Sequence, residues 1–222
     1  MKIYRFREEP SAGSASRFRE QGFLKELLLD FMMEEGIGVH ASQWKRAKIE
    51  RADHGKPLLQ WDGHPVHFSI SHSGPWWVCA VDTKPLGIDI EYPANHTRYQ
   101  RREGAAKLLA IGNRFFSQEE NVFLQNAGDP CVAFYEIWVR KEAYLKYLGL
   151  GLSYGLSQFS VVGKGRFLEE LKDPQGSSAQ QGSGSQKELV ARLTGLALGP
   201  ELVAAVCFHP NPNFSSGDIH LG

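Results

Sequence analysis

The sequence is poor in cysteine, and what it has is not arranged in pairs. Cys79, Cys131 and Cys207 are odd in number and far apart, and no CxxC occurs. Neither a disulfide framework nor a zinc ribbon is indicated. Cys79 and Cys207 lie inside apolar runs, where a small buried thiol is expected, and a reducing cytoplasmic setting suits them. Excess charge of one sign is also missing, since 25 Lys plus Arg balance 25 Asp plus Glu over 222 residues. No global basic field draws in nucleic acid, so a nucleic-acid partner is not expected. The longest apolar run, around Leu27-Leu28-Leu29, is far too short to span a bilayer. The opening MKIYRFREEPSAGSAS has no apolar core of the kind a signal peptide carries, so no membrane association is expected either.

What remains is an ordinary globular composition, 42% apolar and 23% charged. Residues 16–35 place Phe23, Leu24, Leu27, Leu28, Phe31 and Met32 on one helical face, and Gly36 and Gly38 end the pattern. A turn, DHGKP, follows Ala52. Residues 66–91 read as three short strands in an antiparallel meander: VHFSI, then WWVCAV, apolar enough to be buried on both faces, then LGIDIE with period two. From Arg101 the texture is helical. Ser117 followed by Glu120 is a capping box, and Cys131 to Leu148 runs without Pro or Gly until Gly149 stops it. QFSVV (158–162), ELVARLTGLAL (188–198) and ELVAAVCF (201–208) read as strands. The low-complexity stretch at about 172–187 reads as a mobile surface loop. Each half runs from helix to strands, with a break near residues 93–104. The expected fold is therefore α+β: a pseudo-twofold pair of similar lobes, 1–100 and 101–222, each a small antiparallel sheet packed with a long helix.

Several stretches could carry chemistry. In GIDIEY, Asp89 and Glu91 project from one strand face, roughly 7 Å apart along the chain. They could converge on a hard cation such as Mg²⁺, or simply form a solvated acidic face. In WVRKEAYLK, Glu142 and Lys146 share a helix face. They could serve a metal and a phosphate, or be a surface pair worth roughly 0.3–0.5 kcal/mol. HGKP presents Lys56 on a stiff turn. SISHSG looks at first like hydrolase parts. It has no G-x-S-x-G elbow, however, and neighbouring Ser and His side chains point apart on a strand, so His72 cannot readily activate Ser71 or Ser73. Small donors ending at Gly74 suit an oxyanion such as phosphate better.

The order GKP, FSISHSG, GIDIE, FFSQEE, WVRKEAYLKYLGLGL, over residues 55 to 152, resembles the Sfp-type 4′-phosphopantetheinyl transferases. The resemblance implies a monomeric enzyme with coenzyme A in the cleft between two lobes. There a serine of an apo acyl or peptidyl carrier protein attacks the β-phosphate and releases adenosine 3′,5′-bisphosphate. It implies that Asp89, Glu91 and Glu142 hold Mg²⁺, with Mn²⁺ as an alternative ion. It makes Glu142 the leading base and Glu120 a second base or outer-shell group. Lys146 would stabilise the leaving phosphate and Lys141 would contact the phosphates. Lys56, Ser71 and His72 would contact coenzyme A, and Arg17, Arg19 and Lys25 are candidates for gripping its 3′-phosphate. One departure is Ser69, where the family pattern has Asn; the tail beyond residue 163 matches in outline alone. Two other readings compete. A D-x-E strand with a distant Glu also occurs in ribonuclease-H-like nucleases, and the same residues could form a coenzyme A binder without turnover.

Overall fold

Apolar alternation and short-range caps set most elements in the middle of the chain. The computed structural model describes residues 1–8, 21–93, 102–172, 190–210 and 220–221. In chain order, β1 (Lys2–Arg7) leads to α1 (Gln21–Glu34), α2 (Ala41–Arg46) and a hairpin of β2 (Lys48–Arg51) and β3 (Pro57–Gln60). Then come β4 (His67–Ser73), β5 (Trp76–Asp82), β6 (Leu86–Glu91), α3 (Arg102–Phe115), α4 (Gln118–Gln125) and α5 (Pro130–Leu148). Two 3-10 turns precede a hairpin of β7 (Val162–Gly163) and β8 (Arg166–Phe167), followed by β9 (Glu170–Lys172), β10 (Val190–Gly195), β11 (Val203–Phe208) and β12 (His220–Leu221).

Two four-stranded sheets, β12-β1-β5-β4 and β6-β11-β10-β9, stack between helices. The run WWVCAV shows why. Trp77, Cys79 and Val81 pack with Leu24, Leu28, Phe31 and Met32 of α1. Trp76, Val78 and Ala80 pack with Ile88, Ile90, Ala204 and Val206 of the other sheet. Both faces of β5 are therefore dry, as its lack of alternation requires. On the far side, Ala205 and Cys207 of β11 meet Ile137, Ala143, Tyr144 and Tyr147 of α5. The resulting order of layers is α1, first sheet, second sheet, α5.

This is the expected α+β class with largely antiparallel sheets, but the expected meander is broken. β4 pairs with β5, whereas β6 leaves that sheet and pairs with β11. In exchange, β12 from the chain's end pairs in parallel with β1. The cause lies on β6 itself. Leu86, Ile88 and Ile90 belong to the inter-sheet core, so the opposite face, Gly87, Asp89 and Glu91, is turned toward α5. Gly87 has to be glycine, because a Cβ there would stand 2.2 Å from the Ala143 carbonyl oxygen and 2.3 Å from the Tyr147 nitrogen.

α4 opens with the expected capping box between Ser117 and Glu120. α5 starts on Asp129, whose carboxylate accepts from the Cys131 and Val132 N–H groups, with Pro130 in the first turn. It ends on Gly149 at φ 72. QFSVV is not the expected strand. Residues 156–158 form a 3-10 turn, Val162 alone of this stretch enters a strand, β7, and side chains satisfy two of the backbone groups between: Lys141 donates to Phe159 O, and Val161 N–H donates to Glu120. The stretch read as a mobile loop lies, from residue 173, outside the described residues. No helix among the described residues is long and apolar enough to cross a membrane.

Candidate active site

The acidic face of β6 meets α5 beside a cavity of about 720 Å³: Ser71, Glu142 and Lys146 line it, while Asp89 and Glu91 do not, and Asp89 lies behind Ser71 and Lys146, both bonded to it. The β2–β3 turn, β4, α5 and the glycine-rich segment after it form the cavity walls. Gly149 and Gly151, both at positive φ, let that segment approach the hairpin turn; a Cβ on Gly151 would touch His54 at 3.4 Å.

Asp89 is buried at the centre of this junction. Its Oδ1 accepts from Ser71 Oγ at 2.8 Å and from Lys146 Nζ at 2.7 Å. Lys146 Nζ also donates to the Ile70 and Ile88 carbonyls, at 3.2 and 3.1 Å, yet its side chain keeps 28% exposure. It is a fixed positive charge with one side open to the cavity. Glu91 Oε2 accepts from Ser73 Oγ at 2.8 Å. Burial pushes the Glu91 carboxyl up, helped by the charge of Asp89 and opposed by Ser73 and Lys146. Glu142 lines the cavity and is pushed up to about 7, first by burial and then by Asp89 and Glu91, against the pull of Lys146. The helix residue and the two strand residues, distant in sequence, thus form one electrostatic unit.

Lys56 also lines the cavity, donating to Leu86 O at 3.1 Å and Tyr147 O at 3.4 Å. Burial brings its ammonium down to about 8. Ser71 and His72 are in the wall, but they face differently: Ser71 is buried against Asp89, and His72 is exposed. Two titratable lining residues are not among those singled out from the sequence, Arg51 and His54. Both lie within five residues of Lys56, and the hairpin that folds them onto the cavity was the missing signal.

Other expected site residues are elsewhere. Lys141 and Glu120 form an ion pair at 2.7 Å with both side chains 0% exposed. Glu120 is fully engaged, Oε1 by Lys141 and Val161 N–H and Oε2 by Ser117 N–H at 2.8 Å. Lys141 sits 4.2 Å over the Phe159 ring and donates to the Phe159 carbonyl. Neither residue lines the cavity. The structure does not bring them to the site, because Lys141 lies one residue round the helix from Glu142 and faces the core. Lys25 is likewise occupied, donating to Trp44 O and Ala47 O at 3.2 and 2.8 Å. Arg17 and Arg19 lie outside the described residues.

Among the described residues, no three His, Cys, Asp or Glu side chains close into a ready-made metal cage. The donor set nevertheless suits Mg²⁺, which needs one or two carboxylates and completes its shell with water and phosphate oxygens. The charge of Asp89 raises the proton affinity of Glu91 and of Glu142, Glu91 adds to the rise at Glu142, and a bound cation would relieve that negative field.

Comparison with known proteins identifies the family. The chain is 36% identical over 155 residues to a 4′-phosphopantetheinyl transferase of Bacillus pumilus, covering 67% of this chain and 60% of that protein. It is 42% identical over 112 residues to a 4′-phosphopantetheinyl transferase of Bacillus subtilis, covering 49% and 44%. With the transferase Sfp of Bacillus subtilis strain 168 the identity is 38% over 116 residues, covering 51% and 46%. The chain thus spans between 44% and 60% of the length of these relatives. Residues 85–206, from the start of β6 almost to the end of β11 and more than half of the chain, match the profile of the 4′-phosphopantetheinyl transferase superfamily. With its acidic strand and the helix that faces it both inside the matched region, the chain belongs to the 4′-phosphopantetheinyl transferase superfamily.

Proposed function

We propose that the chain transfers the 4′-phosphopantetheine group of coenzyme A to a serine of an apo carrier protein. The observation that carries this is the cavity lined by Glu142, Lys146, Lys56, Arg51 and His72, with Asp89 paired to Lys146 just behind its wall. Such a cavity suits a polyanion with its reacting phosphate at the acidic end. The carrier serine oxygen bonds to the β-phosphorus as the bond from that phosphorus to the bridging oxygen breaks, and adenosine 3′,5′-bisphosphate leaves. The serine proton passes to Glu142, directly or through water, since this carboxylate lines the cavity beside Lys146. Lys146, anchored by three protein acceptors, faces the charge that develops on the leaving phosphate. Asp89, Glu91 and Glu142 would hold Mg²⁺, or Mn²⁺ in its place, which when bound neutralises pyrophosphate charge. Lys56, Arg51 and His72 supply charge along the rest of the ligand. Glu120 and Lys141 act through α5 rather than on substrate. The chain works as a monomer in the cytoplasm, in two lobes divided near residue 100.

The deciding experiment incubates a panel of apo acyl and peptidyl carrier proteins with the chain, Mg²⁺ and coenzyme A, and reads intact masses. A gain of one phosphopantetheine on the carrier serine is expected. Carriers that all stay unmodified, with Mg²⁺ and with Mn²⁺, would overturn the proposal.

Lys56 supplies a pH test of the binding half. A bound anion favours its ammonium form, so affinity for adenosine 3′,5′-bisphosphate should weaken as pH rises through about 8. The limiting slope is one proton, or about tenfold per pH unit. Calorimetric titration at pH 7 and pH 9 checks it. Lys56→Met should bind more weakly at pH 7 and lose most of the pH dependence; an unchanged dependence would remove Lys56 from the ligand.

A further inference from the structure

The serines of SISHSG form a ladder whose rungs differ in one respect. Ser69, Ser71 and Ser73 lie at period two on β4, facing β6. These two strands belong to different sheets and share no backbone ladder. In its place, Ile88 N–H donates to Ser69 Oγ at 3.1 Å, Ile90 N–H to Ser71 Oγ at 3.3 Å and Tyr92 N–H to Ser73 Oγ at 3.0 Å. The hydroxyls satisfy the free edge of β6, which is otherwise an unpaired row of donors.

Each hydroxyl still has its own proton to place. With a backbone N–H on the oxygen, that proton is directed toward the residue just before the bonded amide. At Ser71 this is Asp89 and at Ser73 it is Glu91, both at 2.8 Å. At Ser69 it is Gly87, which has no side chain because α5 leaves no room for one. The ladder therefore contains its own control: Ser69 carries the amide function alone, and Ser73 carries both.

We propose that Ser73 is a positioning residue for the cation site: its hydroxyl, bonded to Glu91 Oε2, fixes the orientation of the carboxylate that would ligate a divalent ion. This rests on the reading that the acidic cluster takes such an ion. Partners that orient a ligating carboxylate commonly change metal affinity by about 10- to 100-fold. Free Mn²⁺ measured by electron paramagnetic resonance, with and without coenzyme A, tests it alongside unfolding midpoints. Ser73→Ala should weaken Mn²⁺ binding about tenfold or more, and Ser73→Thr, which keeps the hydroxyl, should restore it to within about threefold. Ser69→Ala should lower the unfolding midpoint but leave Mn²⁺ affinity unchanged. Wild-type affinity in Ser73→Ala, or equal losses in the Ser69 and Ser73 variants, would show that the ladder serves the fold alone. A wild-type chain that binds no Mn²⁺ under either condition would overturn the cation reading and this assignment with it. Modification of carriers by Ser73→Ala at high Mg²⁺ would leave the transferase reading standing in every case.

Discussion

Asp89→Asn is expected to lower carrier-protein modification by about a thousandfold or more in kcat/KM, with little change in the unfolding midpoint. Three interactions meet at this carboxylate: the Ser71 hydroxyl, the Lys146 ammonium and the charge offered to a cation. Asparagine preserves its volume and one acceptor but removes the charge that sets the other two groups. Lys146 keeps its carbonyl partners at Ile70 and Ile88, so the fold has little to lose. The effect falls on the transition state, where a misplaced electrostatic group commonly costs about 10²–10³-fold and a lost cation adds to that. Steady-state kinetics over a range of Mg²⁺ concentrations, with unfolding curves in parallel, measure it. Activity within tenfold of wild type would remove Asp89 from the reacting centre.

The second large effect concerns a pair away from the cavity. Lys141→Met should destabilise the protein by about 3–5 kcal/mol, because it leaves the Glu120 carboxylate buried without a counter-charge. Adding Glu120→Gln should recover part of that loss, since a neutral pair carries no uncompensated charge and Gln retains one acceptor for the Val161 N–H. Urea unfolding of both single variants and the double variant gives the coupling directly. A loss below about 1 kcal/mol in Lys141→Met would show that the pair contributes little. Activity should fall with Lys141 as well. Its bond to the Phe159 carbonyl holds α5 in the rotation that turns the adjacent Glu142 to the cavity.

The pair also shows where sequence reasoning stopped. Lys141 and Glu142 are neighbours in a charged helical motif, and nothing local says that one faces the core and the other a cavity. Helical spacing separates them by about 100° of rotation, and what stands on each side is set by distant segments, here α4 and the turn at Phe159. Glu120 was legible as the third residue of a capping box, which is a short-range device. That its second oxygen would bind a lysine on another helix was not legible.

The sequence by itself determined the local structures: the bounds of β6, the Ser117 cap, the Gly149 stop, and the alternation that puts Asp89 and Glu91 on one face and Ile88 and Ile90 on the other. These depend on backbone periodicity and on hydrogen bonds between residues close in the chain. Tertiary structure decided which surfaces those faces meet. It moved β6 out of the meander and onto β11, and it set the serines of β4 against the open edge of β6. It also folded Arg51 and His54 over the cavity and sent Lys141 into the core. The physical reason is that periodicity specifies which face a side chain occupies, whereas the partner of that face is chosen by burial shared among segments from opposite ends of the sequence, as Ile3, Leu202 and Phe208 share one core.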